Sequence, residues 1–306
     1  MCHAVRAVCC DRRVTSPVSS PDSHAADLRA IAEQLASEAA AFVRRRRAEV
    51  FEVGEDAGAD ALSAVSAVSS KSTPTDPVTI VDTETERLLR QRIAALRPGD
   101  LVLGEEGGGP SETAQPGAVT WVLDPIDGTV NFVYGIPAYA VSVAAQIDGV
   151  SVAGAVADVV AGEVYSAGVG LGAHVQGPAG RRLLQCNAVD ELSMALLGTG
   201  FGYSPARRAT QGALLAQLMP LVRDVRRIGS AALDLCMVAA GRLDAYYEHG
   251  THVWDWAAGA LIAAEAGAWV RLPALDTELL AAAAPGVAGE LRETLDRFGG
   301  LAPLPA

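Results

Sequence analysis

Trp121-Val122-Leu123-Asp124-Pro125-Ile126-Asp127-Gly128-Thr129 places two carboxylates three residues apart directly after a short apolar run, then adds a glycine and a hydroxyl. Residues 119–123 read as a mostly buried strand, so Asp124 stands where that strand emerges. Pro125 has no amide hydrogen, which is expected to stop the ladder and turn the chain, aiming Asp124 and Asp127 into one space. Gly128 and Thr129 then open an expected helix N-terminus, whose unpaired N–H groups favour an anion such as phosphate. Carboxylates suit hard cations and such amides suit phosphate, so the stretch carries the parts of metal-assisted phosphate chemistry. Taken alone, it also reads as a plain strand–turn–helix junction with Asp127 as a helix cap.

Two further segments share this design. In Leu101-Val102-Leu103-Gly104-Glu105-Glu106-Gly107-Gly108, an apolar run again ends in acids, followed by glycines that allow close backbone approach. Downstream, Val253-Trp254-Asp255-Trp256 sets a third acid at the start of an apolar helical stretch. Acids from strand ends and helix starts can converge on one cleft, as ligands of open α/β sites do. All three segments offer oxygen donors, which points to Mg²⁺ rather than zinc.

Gly104-Glu105-Glu106, Asp124-Pro125-Ile126-Asp127-Gly128-Thr129 and Trp254-Asp255 resemble the three signature motifs of the inositol monophosphatase family. Arg226-Arg227-Ile228-Gly229-Ser230-Ala231-Ala232 and Asp244-Ala245-Tyr246-Tyr247-Glu248 match further family segments, and Lys71 to Asp76 together with Thr79 to Asp82 match the N-terminal one. The likeness runs in order from about residue 25 to the C-terminus, and within the family it is greatest to bacterial, actinobacterial members. Six ordered matches are far more specific than any single motif.

The resemblance implies an α/β fold of layered α+β type, the α-β-α-β-α sandwich of inositol monophosphatases and fructose-1,6-bisphosphatases. It implies a Mg²⁺-dependent phosphatase, sensitive to lithium, acting on a small phosphorylated polyol. One Mg²⁺ would take Glu105, Asp124 and the carbonyl of Ile126; a second would take Asp124, Asp127 and Asp255, and a third near Glu105 is a family expectation. Glu105, Asp82 and Thr129 take catalytic positions, the last two as the pair that orients and deprotonates the attacking water. Substrate positions fall on Asp127, Gly128, Thr129, Arg226, Gly229, Ser230, Ala231, Glu248 and Asp255. Arg226 reads equally well as a structural or inter-subunit ion pair, and Ser230 stands where the family usually has threonine. Relatives with the same metal motifs act on fructose 1,6-bisphosphate, histidinol phosphate or nucleotide 3′-phosphates, and Glu248 favours a polyol ring over these. A rival reading is a non-catalytic regulatory binding protein. A homodimer is expected, as relatives commonly form one.

Composition is consistent with this reading. The 306 residues carry a net charge of −12, which argues against a nucleic-acid binder. No apolar run is long enough for a membrane span. Cys2, Cys9, Cys10, Cys186 and Cys236 are odd in number and lack metal-ligand spacing. Residues 1–24 lack an apolar signal core and read as a disordered extension, so a cytoplasmic enzyme is the expectation. Lys71 is the only lysine, in a segment that the resemblance places near the metal site.

Two subdomains are expected around a cleft, over residues 25–190 and 191–306. Leu28, Ile31, Leu35, Ala39 and Phe42 recur at helical spacing, predicting a helix over 25–49 whose Arg44–Arg47 run complements its C-terminal dipole. Residues 54–70 read as a loop, and Asp82 or Thr83 as the start of a second helix. Strands are expected over 139–147, 150–160 and 163–167, with Asp148-Gly149 as a hairpin turn. Strand and helix patterns then alternate over 195–199, 212–222, 231–239, 243–247 and 255–266.

Three other signals are discounted. Glu248-His249-x-x-His252-x-x-Asp255 could suit zinc, but Gly250 argues against one helix and histidine packing is preferred. Gly168-Val169-Gly170-Leu171-Gly172 only loosely resembles a dinucleotide loop. Gly202-Tyr203-Ser204-Pro205 lacks a full nucleophile elbow.

Overall fold

The computed structural model describes residues 21–51, 68–70, 77–109 and 115–304. The Lys71–Asp76 segment, most of the expected 54–70 loop and residues 1–20 lie outside them. Helix α1 (Pro21–Phe51) precedes the antiparallel pair β1 (Val68–Ser70) and β2 (Pro77–Thr79), and α2 (Ile80–Leu96) follows. Next come β3 (Leu101–Gly104), β4 (Val119–Asp127), α3 (Thr129–Tyr134), β5 (Ala140–Ile147), β6 (Val150–Asp158), β7 (Glu163–Gly168), β8 (Ala173–Gly177) and β9 (Gly180–Leu183). The chain continues with β10 (Leu196–Thr199), α4 (Pro205–Leu218), β11 (Asp224–Arg226), α5 (Ala231–Ala239), β12 (Ala245–His249) and α6 (Val253–Glu265). It ends with β13 (Trp269–Arg271), β14 (Leu279–Ala283) and α7 (Pro285–Arg297).

Two sheets carry the architecture. Strands β3 to β9 lie in sequence order in a seven-stranded sheet, while the five-stranded sheet has the order β11-β10-β12-β14-β13. Both faces of the first sheet are covered. Trp121 and Leu123 of β4 pack with Leu28, Leu35 and Val43 of α1 and Leu89 of α2, whereas Val122 packs with Ala257 and Ile262 of α6. This double burial explains why β4 and β5 read as nearly continuous apolar runs. On their other sides, Leu235 of α5 and Ala263 of α6 meet Tyr246 and Leu280 of the second sheet. Leu214 of α4 and Leu291 of α7 cover that sheet's far face. The layers are therefore α-β-α-β-α, as the motifs implied. Among the described residues no helix is long and apolar enough to cross a membrane.

Several boundaries differ from expectation. Helix α1 begins at Pro21, inside the segment expected to be disordered, because proline is tolerated in a first helical turn. It also ends a turn beyond Arg47, so the arginine run does not serve its terminal dipole. Arg44 instead donates to the Val159 carbonyl at 2.6 Å, Arg46 to Glu84 at 2.8 Å and Arg47 to the Phe132 carbonyl at 3.1 Å. The run tethers α1 to the elements around the cleft. Helix α2 starts two residues before Asp82: Thr79 is its N-cap and Asp82 closes a capping box from the N3 position. Residues 68–70 pair with 77–79 as strands, and Ala140–Ile147 and Val150–Asp158 meet at Asp148-Gly149 with both φ angles positive, the conformation of a tight hairpin turn.

Pro125 does not end its strand. Strand β4 continues to Asp127, with its register against β5 shifting between Asp124↔Ser142 and Asp127↔Ala140. Three steps on β4 oppose two on β5, which is a bulge, and Pro125 falls inside it, where no ladder amide is required.

Helix α6 lies close to the sheet at Gly154, where a Cβ would stand 3.0 Å from both Cα and Cβ of Ala258. Gly154→Val is expected to overpack this contact and destabilise the fold by about 1–3 kcal/mol. The check is the urea midpoint of equilibrium unfolding, which should fall without a large change in slope.

Candidate active site

The cleft is built where chain ends converge from both sheets. Strand β3 runs parallel to β4, with Gly104 opposite Leu123, so the next residue on each strand is an acid. Glu105 and Asp124 thus emerge side by side, and the Glu105 amide donates to the Leu123 carbonyl at 3.2 Å. In a regular strand Asp124 and Asp127, three residues apart, would face opposite sides. The bulge supplies the extra residue, and both line the cleft. In the second sheet β10 and β12 are also parallel, with Thr199 opposite Tyr247, so Gly200 and Glu248 emerge together. A Cβ on Gly200 would overlap the Glu248 carboxylate, so that approach requires glycine.

Two helix starts complete the walls. Ser230 is the N-cap of α5, and its hydroxyl and the Ala232 amide both donate to Asp127 Oδ2, at 2.5 and 2.7 Å. Asp255 sits in the first turn of α6 and accepts from the His252 amide at 2.7 Å. Both carboxylates gain from the positive ends of these helices. Gly128, with φ at 94°, brings the α3 start within reach of the Gly229 carbonyl. Asn131 on α3 donates to the carbonyls of Ala138 at 2.7 Å and Ile228 at 2.9 Å, tying this turn to the Gly229–Ser230 loop.

Glu105, Asp124, Ile126, Asp127, Gly128, Thr129, Gly229, Ser230, Ala231, Glu248 and Asp255 line one cleft of about 610 Å³. Asp82 stands behind it, fully buried. The Thr129 hydroxyl lies 3.1 Å from Asp82 Oδ1 and 2.9 Å from the Ile126 carbonyl. Asp82 Oδ2 is held by the Thr79 amide at 3.0 Å and by the Thr79 hydroxyl.

Arg226 is not brought to the cleft. It pairs with Asp224 at 2.6 Å, two positions back on the same face of β11, and Arg227 lines the cleft instead. Sequence reasoning also missed Arg207, Tyr203 and the Gly200 approach. Strand alternation around Asp224 could have separated Arg227 from Arg226, but nothing in the sequence marks Arg207. The two histidines of the discounted zinc pattern are separated, one in the core and one exposed at the cleft. His249 is fully buried, and burial lowers its pKa; His252 stacks on Trp254 with centroids 4.9 Å apart. The Gly170 and Gly172 amides are taken up by Glu265 at 2.9 Å each, which accounts for the glycine-rich turn without a nucleotide.

The electrostatics define what this cleft can hold. Burial, reinforced by the Glu105 charge, pushes the Asp127 carboxyl up to about 6 against the opposing Ser230 and Ala232 hydrogen bonds. Burial, then Asp127 and Glu105, raises Asp255 well above the usual carboxylate range. Glu248 is pushed up to about 7 by burial, while the Tyr246 hydroxyl at 2.6 Å and Arg227 act in the other direction. Like charges crowded away from water favour either protons or a cation. The donors are all oxygen, which fits a hard divalent ion. Among the described residues no three His, Cys, Asp or Glu side chains are already arranged to hold a metal. Asp127 and Asp255 instead each direct one oxygen to protein donors.

The chain has close counterparts among known proteins. The inositol-1-monophosphatase of Mycobacterium leprae is 70% identical over 291 residues, spanning 93% of this chain and 98% of that protein. The solved structure of Mycobacterium tuberculosis SuhB matches with a TM-score of 0.76 at 63% identity, over 90% of this chain and 98% of that one. The crystal structure of inositol monophosphate bound SaIMPase-II matches with a TM-score of 0.68 at 27% identity, over 90% and 95%. The model of the inositol monophosphatase family matches residues 24–298, and the chain belongs to that family.

Proposed function

We propose that this chain is a Mg²⁺-dependent phosphomonoesterase that hydrolyses myo-inositol 1-phosphate to inositol and phosphate. The observation that carries this reading is the convergence of Glu105, Asp124, Asp127 and Asp255 in one cleft, with the Thr129–Asp82 pair behind them. Glu105, Asp124 and the Ile126 carbonyl would hold one ion, and Asp124, Asp127 and Asp255 a second; a third would sit near Glu105. When bound, Mg²⁺ supplies Lewis acidity to the phosphate oxygens and to the attacking water.

This chain's own groups do the rest. The Thr129 hydroxyl takes a proton from the attacking water as its own passes to Asp82 Oδ1, 3.1 Å away. Asp82 is kept in place as an acceptor by Thr79. The phosphate lies against the Gly128 and Thr129 amides. Glu248 accepts from a ring hydroxyl, with Ser230 and the Ala231 amide completing the polyol contacts. No covalent phosphoenzyme is required, because activated water is a sufficient nucleophile. Under the same reading the enzyme is a cytoplasmic homodimer inhibited by Li⁺.

Phosphate release from myo-inositol 1-phosphate tests the reading, run beside fructose 1,6-bisphosphate, histidinol phosphate and 3′-phosphoadenosine 5′-phosphate. Turnover should require Mg²⁺, favour the inositol ester, and fall about a thousandfold, roughly 4 kcal/mol, in Asp124→Asn. Preference for another ester would overturn the role given to Glu248. No Mg²⁺-dependent turnover of any ester would leave a binding protein as the better description.

A pH dependence follows from Asp127. In the cation-free fold its raised carboxyl contributes stability below the ordinary carboxylate range and loses it as pH rises through about 6. A bound cation reverses this preference, so protons and Mg²⁺ compete below about pH 6. The Mg²⁺ dissociation constant should therefore rise as pH falls from 7.5 through 6.5 to 5.5, as calorimetric titrations at those values would show.

A further inference from the structure

Glu86 lies one helical turn beyond Asp82 on α2 and is almost fully buried, but it is not among the residues that line the cleft. Both of its oxygens are committed to the turn that follows β3. Oε2 accepts from the Glu106 amide at 2.8 Å, and Oε1 accepts from the Gly107 amide at 2.9 Å. Arg90 Nε donates to Oε1 at 2.7 Å, and Arg90 Nη2 reaches on to the Gly108 carbonyl at 2.7 Å. Gly104 and Gly108 exchange amide–carbonyl bonds of 3.0 and 3.1 Å across the base of the turn. A Cβ on either Gly104 or Gly107 would collide with the Glu86 carboxylate. These two glycines therefore serve the approach of an acid from behind.

Glu105 sits between these fixtures. Its own amide is bonded to Leu123 of β4, and the next two amides are bonded to Glu86. Its backbone is thus fixed on both sides, which limits where its carboxylate can point. Asp82 and Glu86, four residues apart on one helix face, also make α2 a common reference for Thr129 and Glu105.

We propose that Glu86, supported by Arg90, is a positioning residue that presets Glu105 for the divalent cation. This inference rests on the metal reading given above. A carboxylate is specifically needed: glutamine would turn an NH₂ group toward one of the two backbone amides and leave a buried donor unpaired. Aspartate is one methylene too short to reach both. Groups that orient metal ligands typically change metal affinity about 10–100-fold when replaced.

The test is calorimetric titration of the full chain with Mg²⁺ in the absence of substrate, with circular dichroism to establish folding. Glu86→Gln should bind Mg²⁺ at least about tenfold more weakly than the unsubstituted chain, and Glu86→Asp should not restore it. Leu291→Ala, which weakens the core behind the second sheet, should lower thermal stability without changing Mg²⁺ affinity. Should Glu86→Gln not fold, Arg90→Met carries the test with a smaller loss in the same direction. A folded Glu86→Gln protein with unchanged affinity would overturn the inference while the metal reading stands; so would unchanged affinity in Arg90→Met where Glu86→Gln does not fold. Failure of the unsubstituted chain to bind Mg²⁺ would remove both.

Discussion

The cleft depends on the bulge between Asp124 and Asp127. Strand geometry alternates side chains, so two acids three positions apart cannot share a face without an extra residue between them. The register against β5 supplies that residue, and Pro125 occupies the position where no ladder amide is needed. The consequences spread outward. Asp127 reaches the start of α5, Asp124 stays beside Glu105, and Gly128 turns the chain into α3 so that Thr129 meets Asp82. Remove the parity shift and these contacts cannot coexist.

A second constraint is electrostatic. The cleft gathers Asp127, Glu248 and Asp255 in surroundings that disfavour their charges. The fold offsets part of this with helix starts, cleft arginines and hydroxyl donors, and leaves the remainder for a cation. Such tension marks a functional site more clearly than it marks a stable one. Glu265, outside the cleft, is by contrast matched to the Gly170 and Gly172 amides.

The sequence displayed the acids of the site because each borders an apolar run, Glu105 and Asp124 after one and Asp255 at the start of one, and the layers because those runs alternate with amphipathic stretches. It hid what depends on direction rather than spacing. Arg226 and Arg227 are chemically identical neighbours, and only the pairing of Asp224 with Arg226 decides which of them reaches the cleft. Pro125 resembled a stop because a bulge has no mark in a single chain. Glu86 is one of many polar residues on a helix, and nothing local marks it, since the Glu106 and Gly107 amides that it binds lie beyond the end of that helix. The short strands β11 and β13 carried too few residues to show a period.

The strand order also governs when the cleft can exist. Every strand of the seven-stranded sheet neighbours the next one in sequence, so that sheet closes through local contacts. The five-stranded sheet interleaves its strands, and its parallel pairs need crossovers through α4 and α5. Residues facing the cleft extend from Glu105 to Asp276. A chain emerging from the ribosome would therefore complete its first sheet while Asp255 was still unmade. High contact order makes the second half slower to form, and ion binding becomes a report that the whole chain has folded.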